Sequence, residues 1–373
     1  MKKKPTSAEP RSSISEFYRG LNPVLFSHLD DVVGVPLTVE HQRVALLLET
    51  IELEAEVKES GLPGGGRPFY SLKPTARALL AKSALNIPTT KDLIARLNAD
   101  FGLKTLCGFG SRVPSESTFS RHVKKLSEGL VLDAVHEKLV RRHLGSAVVP
   151  HVSRDSSEIR GREKATPRAK PVRPKRKGNR GRYPSEGSVY KAPSRLPKQL
   201  EQDYRSSFKE LPRACDIGTK TNSQGYQLHW IGFKLHLDVS DQGFPLSAFT
   251  SSASLHDSQA AIPLSQMTKE RVGTVFYELM DKGYDSDFIR KAVERQGHVP
   301  IIMTTDRFGQ KAIPLDEAQA RRFKERTTVE RSFSDIKDNL GGRFIRVRGA
   351  VKVHMHLMCA VLNLFACALL RNH

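Results

Sequence analysis

YQLHWIGFKLHLDVSDQGFPLSAFT, residues Tyr226 to Thr250, is the stretch on which the reading of the chain turns. Its first fourteen residues alternate in character as a half-buried strand does, and Asp241, Gln242 and Gly243 supply a turn before the apolar pattern resumes at Phe244. The pattern predicts a hairpin of Tyr226 to Val239 with Phe244 to Thr250. Downstream, the periodicity predicts a helix over Ser258 to Met267, a strand over Val275 to Met280, a helix over Ser286 to Gln296 and a strand over Val299 to Met303. Upstream, Val148 to Val152 reads as the first strand. This alternation is an α/β order, a mixed central sheet with flanking helices.

Beyond that core, Asp316 to Asn339 reads as one long helix. Met355 to Leu370 is an apolar run of about 16 residues holding His356 and Asn363, short of the about 20 needed to cross a bilayer, and reads as a buried helix. His354 and His356 lie two apart, on different helix faces, and read as satisfied polar groups rather than metal ligands. Before about Pro150 the periods are helical, in Val44 to Val57, Ala76 to Leu85 and Leu93 to Phe101. Thr89 after Pro88 is placed to cap a helix, with Asp92 three residues on. TFSRHVKKLSEGLVLDAVHEKLVRRHL, from Thr118, carries Arg121, His122, Lys124 and Lys125 near its start, a face suited to DNA phosphates.

The 373 residues are 38% apolar, enough for two or three domains, and Lys and Arg exceed Asp and Glu by 60 to 40. A net charge of +20 favours a polyanionic partner and says nothing of fold. Residues 160–198 hold 14 basic residues against two acidic ones, with many prolines and little that is large and aliphatic. Such a segment cannot bury enough surface to offset its ordering entropy. Lys175, Arg176 and Lys177 sit in its densest part and suit a phosphate backbone through counterion release. Cys107, Cys215, Cys359 and Cys367 form no metal-type spacing or dense disulfide framework, which implies a reducing compartment. The basic N-terminus has no apolar run behind it, so neither secretion nor a membrane location is expected.

Three carboxylates carry the chemistry. Asp155 follows VVPHVSR at the end of the expected first strand, Asp281 follows VFYELM in the string DKGYDS, and Glu330 lies in FKERTTVERSFSDIKDNL. Carboxylates brought by separate elements to one sheet edge can share divalent ions, since Mg²⁺ prefers hard oxygen ligands. On a continuous helix Phe323, Arg326, Glu330 and Lys337 fall within about a 60° sector, joining a ligand carboxylate to two phosphate-binding cations.

These strings resemble those of the DDE transposases of bacterial insertion sequences, in the group with a ribonuclease H-like catalytic domain. RDSS around Asp155 and DKGYDS around Asp281 are similar to that family's two aspartate strings. Its Y-(2)-R-(3)-E-(6)-K signature falls on Phe323, Arg326, Glu330 and Lys337, with Phe where Tyr is usual. WIGFKLHLDVSDQGFPLS, TSSASLHDSQAA and CGFGSRVPSESTFSRH are similar as well. The resemblance implies a helical domain over 1–145 that binds DNA ends or pairs subunits, and a ribonuclease H-like catalytic domain over 146–373. The basic, flexible insertion at 160–200 interrupts the latter.

It also implies two Mg²⁺ ions, replaceable by Mn²⁺, held by Asp155, Asp281 and Glu330 for strand cleavage and then strand transfer. Arg326 and Lys337 would hold the phosphate. Lys220, Lys234 and the basic segment would position the DNA backbone. Phe323, Tyr284, His256 and Asp257 would support the site. The implied partners are double-stranded DNA, as terminal inverted repeats and as target, and a second copy of the chain when assembled on DNA, in a bacterial cytoplasm at the nucleoid. A plain ribonuclease H-like endonuclease and a catalytically inactive DNA-binding regulator are the competing readings.

Overall fold

The computed structural model describes residues 36–58, 71–167, 194–221, 224–306 and 311–372. Two compact units emerge, one from residues 1–142, 333–347 and 351–373, the other from residues 143–332 and 348–350. The first break falls between Arg142 and His143, and most of the chain after Ser332 groups with the first unit.

The first unit is helical. Among the described residues before 145 its helices are α1 (Val39–Ile51), α2 (Leu72–Ala84), α3 (Thr90–Ala99), α4 (Phe101–Leu106), α5 (Glu116–Glu128) and α6 (Val131–Leu144, whose last two residues belong to the other unit). Their starts are written locally. The Thr38 hydroxyl accepts from the His41 amide, and Thr89 accepts from the Asp92 amide at 3.0 Å, as the sequence suggested. Asp100 ends α3 and caps α4, bonding the Leu103 amide at 2.9 Å while His41 and Arg96 meet its carboxylate. Burial alone would raise its pKa; those partners hold it below the usual 3.8.

The segment from Thr118, read as continuous, is broken between α5 and α6 at Gly129 and Leu130, the latter in the left-handed region at φ 47°. The apolar run near the C-terminus is α13 (Ala350–Asn372). It is long and apolar enough to span a bilayer by length and composition, yet most of it is buried within the protein. Asn363, fully buried, donates to the Leu80 carbonyl at 3.0 Å. His354 meets Asp133 at 2.8 Å and His356 donates to the Gly341 carbonyl at 2.9 Å, so both are satisfied inside the unit. All four cysteines are free thiols.

The second unit is built on a six-stranded mixed sheet. Its strands are β1 (Val148–Arg160), β2 (Asp216–Thr221), β3 (Gln227–Ser240), β4 (Pro245–Ser252), β5 (Thr274–Met280) and β6 (Val299–Ile302). β1 lies between β3, antiparallel, and β5, parallel, with β6 parallel beyond β5. The first part of β3 pairs with β2 and the remainder with β4.

The hairpin of β3 and β4 matches the sequence reading to within about two residues. β2 was not anticipated, nor were the short helices α7 (Leu196–Gln199) and α8 (Tyr204–Glu210) that precede it. Helix α9 (Ser258–Arg271) links β4 to β5, and α10 (Asp287–Arg295) links β5 to β6. Ala261 and Ile262 of α9, Ile289 and Val293 of α10, and Met280 and Ile302 of the sheet form one apolar cluster. Phe208 of α8 stacks on Phe249 of β4 with ring centroids 4.1 Å apart.

The long helix expected over Asp316 to Asn339 is divided. Residues Glu317–Phe323 form α11, Lys324–Arg326 a 3-10 turn, and Thr327–Asp338 form α12. The helical wheel that joined Phe323 to Lys337 therefore does not hold as one continuous frame. The turn instead lies against β1 and β5, and Ser153 of β1 donates to the Glu325 carbonyl at 3.2 Å.

Candidate active site

Strand alternation sends Arg154 and Asp155 to opposite faces of β1. Arg154 is fully buried, forking onto Asp238 with two bonds of 2.7 Å and reaching Glu278 at 2.8 Å. Glu278 also meets His298 at 2.7 Å and Ser265 at 2.6 Å, and Thr268 donates to Asp238 at 2.6 Å. This network ties β1, β3, β5 and α9 together, setting the strand that carries Asp155.

Asp155 lies within β1, not at its end as expected, because β1 runs on to Arg160 against the long β3. Ser153 is in register with Leu279 of β5, and Asp155 and Asp281 each lie two residues beyond that pair. In a parallel pair this places both carboxylates at one level and on one face. Asp281 caps a single turn of 3-10 helix, its Oδ1 accepting from the Gly283 amide at 2.9 Å. Arg326 completes the set: Nη2 reaches Asp155 Oδ2 at 2.6 Å and Nη1 reaches Glu330 Oε1 at 2.6 Å. Glu330 stands one turn on from Arg326, and its side chain is 56% exposed.

The electrostatics are those of a crowded anionic site. Burial pushes the Asp155 carboxyl up to about 6; Arg326 and the Ser156 amide oppose the rise, while the Asp281 and Asp257 carboxylates add to it. Tyr284 is fully buried and its hydroxyl has no hydrogen-bond partner among the described residues. Burial, then the charges of Asp257, Asp155 and Asp281, drive its phenol well above the usual range. Asp257 is held below the usual value despite burial, by His236 and then by Lys234, whose ammonium lies 2.8 Å away.

The remaining expected residues separate. Lys234 is buried and bonded to Asp257 and the Leu255 carbonyl, so it braces the junction before α9 and is not displayed towards DNA. Its place in an inward-facing register of β3 decides this. Lys220, 53% exposed, pairs with Glu158 of β1 at 2.6 Å. His256 bonds Ser258 at 2.8 Å. Phe323 is half-buried, its ring centroid 6.0 Å from the Arg326 guanidinium. Lys337 lies seven residues beyond Glu330 on α12, in the part of that helix grouped with the first unit. Lys175, Arg176 and Lys177 lie outside the described residues.

Sequence reasoning missed Arg154, Glu278 and their network, although a charge in an apolar strand run, VVPHVSR, was the available signal. It also did not foresee that Arg326 binds carboxylates. Asp155, Asp281 and Glu330 offer the hard oxygen donors that a divalent ion prefers, and the desolvated Asp155 carboxyl beside Asp281 is a group that a cation would stabilise. Among the described residues, however, no three such side chains stand close enough to share one ion, and the cation between Asp155 and Glu330 is Arg326.

Residues 195–365 match a family model described as a transposase DDE domain, and residues 36–125 match one described as a transposase domain. The first match includes Asp281, Arg326, Glu330 and Lys337; β1 with Asp155 precedes it. No curated protein and no solved structure matches the chain.

Proposed function

The chain carries a transposase DDE domain together with a second transposase domain, the architecture of a DNA-cleaving DDE transposase, and on that premise we propose that it cuts the ends of a mobile element and joins them to target DNA. The observation that carries the reading is the meeting of Asp155, Arg326 and Glu330, from parts of the chain 171 residues apart, beside Asp281. The catalytic unit is then ribonuclease H-like, with Asp155, Asp281 and Glu330 as the residues that would hold Mg²⁺. When bound, the metal supplies Lewis acidity towards water and the scissile phosphate.

The protein's own groups do the rest. Asp155 and Asp281 come from adjacent strands and so have little freedom to move apart. Glu330 is exposed on α12 and can adjust to a substrate. Arg326 and Lys337 offer positive charge to the phosphate backbone, and Lys220 and the basic segment hold DNA without reading its sequence. Tyr284 supports the site as a buried neighbour of its carboxylates, with Asp257 kept ionised by His236 and Lys234. The helical first unit binds element ends or pairs subunits, and the assembly on DNA is a homodimer acting at the bacterial nucleoid.

The test incubates the full chain and its Glu330→Gln variant with DNA carrying the element's flanking inverted repeats, a target plasmid and Mg²⁺, and scores nicks and joined products. Joining that disappears in the variant is the expected result. Cleavage without joining would leave a nuclease, and binding without either product would leave a regulator.

A further inference from the structure

Arg326 is placed unlike a residue waiting for phosphate. Its two terminal nitrogens each hold a different carboxylate at 2.6 Å, Asp155 and Glu330, and its Nε is buried with no partner among the described residues. It sits on a short 3-10 turn between two helices, and its side chain is 15% exposed. Lys234 is paired with Asp257, and among the described residues a single guanidinium, that of Arg326, is shared by Asp155 and Glu330 with the Asp281 carboxylate beside them. A divalent ion would compensate this cluster better than a single positive charge and would need the same carboxylate oxygens.

We infer that Arg326 holds the cation position shared by Asp155 and Glu330, and that a divalent ion entering there displaces its guanidinium towards the phosphate of the substrate. The residue thus has two anionic partners in succession. Without the ion it prevents two carboxylates from facing each other uncompensated. With the ion in place its charge is surplus at the carboxylates and becomes available to DNA, so loading of the site and gripping of the substrate are coupled. The inference rests on the reading of Asp155 and Glu330 as metal ligands.

The experiment measures Mn²⁺ binding to the full chain by calorimetry without DNA, in the wild type and in Arg326→Gln, Arg326→Lys and Asp155→Asn. Because charged hydrogen bonds must be broken before the ion can enter the wild type, Arg326→Gln is expected to bind Mn²⁺ about tenfold more tightly. Arg326→Lys is expected to bind more tightly as well, since one ammonium cannot fork between the two carboxylates. A through-space effect of charge alone would leave Arg326→Lys like the wild type and would overturn the bridge. Should Arg326→Gln not fold, as judged by circular dichroism, Arg326→Lys carries the comparison.

Binding that is lost in Asp155→Asn but equal in the wild type and both Arg326 variants overturns this inference and leaves the metal reading standing. Absence of Mn²⁺ binding in every form overturns both. As a second readout, Ca²⁺ is expected to raise the wild type's affinity for a short duplex, by a factor that shrinks towards one in Arg326→Gln. An undiminished factor counts against the transfer of Arg326 to phosphate.

Discussion

Replacing Arg154 by Met should destabilise the sheet unit severely, although the residue is wholly shielded from solvent. The side chain is 0% exposed, and its fork holds Asp238, 0% exposed, and Glu278, 1% exposed. Methionine fills much of the volume but leaves two carboxylates in the core without their cation. Breaking a buried pair in this way costs about 3–5 kcal/mol. The Glu278 carboxyl gives an independent scale: despite burial, Arg154 and His298 hold it at about 2 against an ordinary 4.5, a preference for the charged form of about 3 kcal/mol.

Against a domain stability of about 5–15 kcal/mol, such a loss is large. The assay is urea unfolding followed by the fluorescence of the single tryptophan, Trp230, which lies on β3 and is 7% exposed. With an m-value of about 1–3 kcal/mol/M, the midpoint should fall by at least about 1 M. In an Asp238→Asn background the same replacement should cost less, since one of the orphaned charges is already gone. A midpoint within about 0.3 M of the wild type, or strict additivity of the two changes, would refute the account of the network as an ion-paired brace.

Acid should act on the same network. With the Glu278 carboxyl at about 2 in the folded state and 4.5 ordinarily, its stabilisation is complete above about pH 4.5 and is lost as pH falls towards 2. Asp238, which burial pushes upward against the pull of Arg154, does not share this dependence. Urea midpoints over this range should therefore drop steeply in the wild type and less in Arg154→Met. Gly218→Val should destabilise the β2–β3 hairpin by about 1–3 kcal/mol, because the Trp230 indole occupies the space a side chain would need; an unchanged Trp230-monitored midpoint would contradict this. Thr89→Ala removes the cap of α3 and should cost the helical unit about 1 kcal/mol, read as a lower melting temperature by circular dichroism at 222 nm.

The hairpin of β3 and β4, the strand ending at Met280 and the cap at Thr89 could be read from the chain because each depends on neighbours a few residues away. Alternation, a turn tripeptide and a capping hydroxyl are local signals. β2 escaped notice because DIGTKT is short and polar, and it is a strand through its bonds to Leu228, Trp230 and the rest of β3's first part. The break at Lys324–Arg326 escaped for the opposite reason: the helical period is nearly continuous there, and packing against β1 and β5 interrupts it.

The site divides in the same way. Which residue types carry the chemistry, Asp155, Asp281, Glu330 and Arg326, was written in short strings of sequence. What each of them touches was not. Lys234 reads as a free cation and is committed to Asp257; Arg326 reads as a phosphate ligand and bridges two carboxylates. Arg154 reads as an interruption in a strand and is the fully buried centre of four elements. Sequence by itself determined the alternation of helix and strand and the inventory of charges. Only the tertiary structure decided which charges are paired, because burial removes water as a partner and leaves each charge to find its counterpart across the fold.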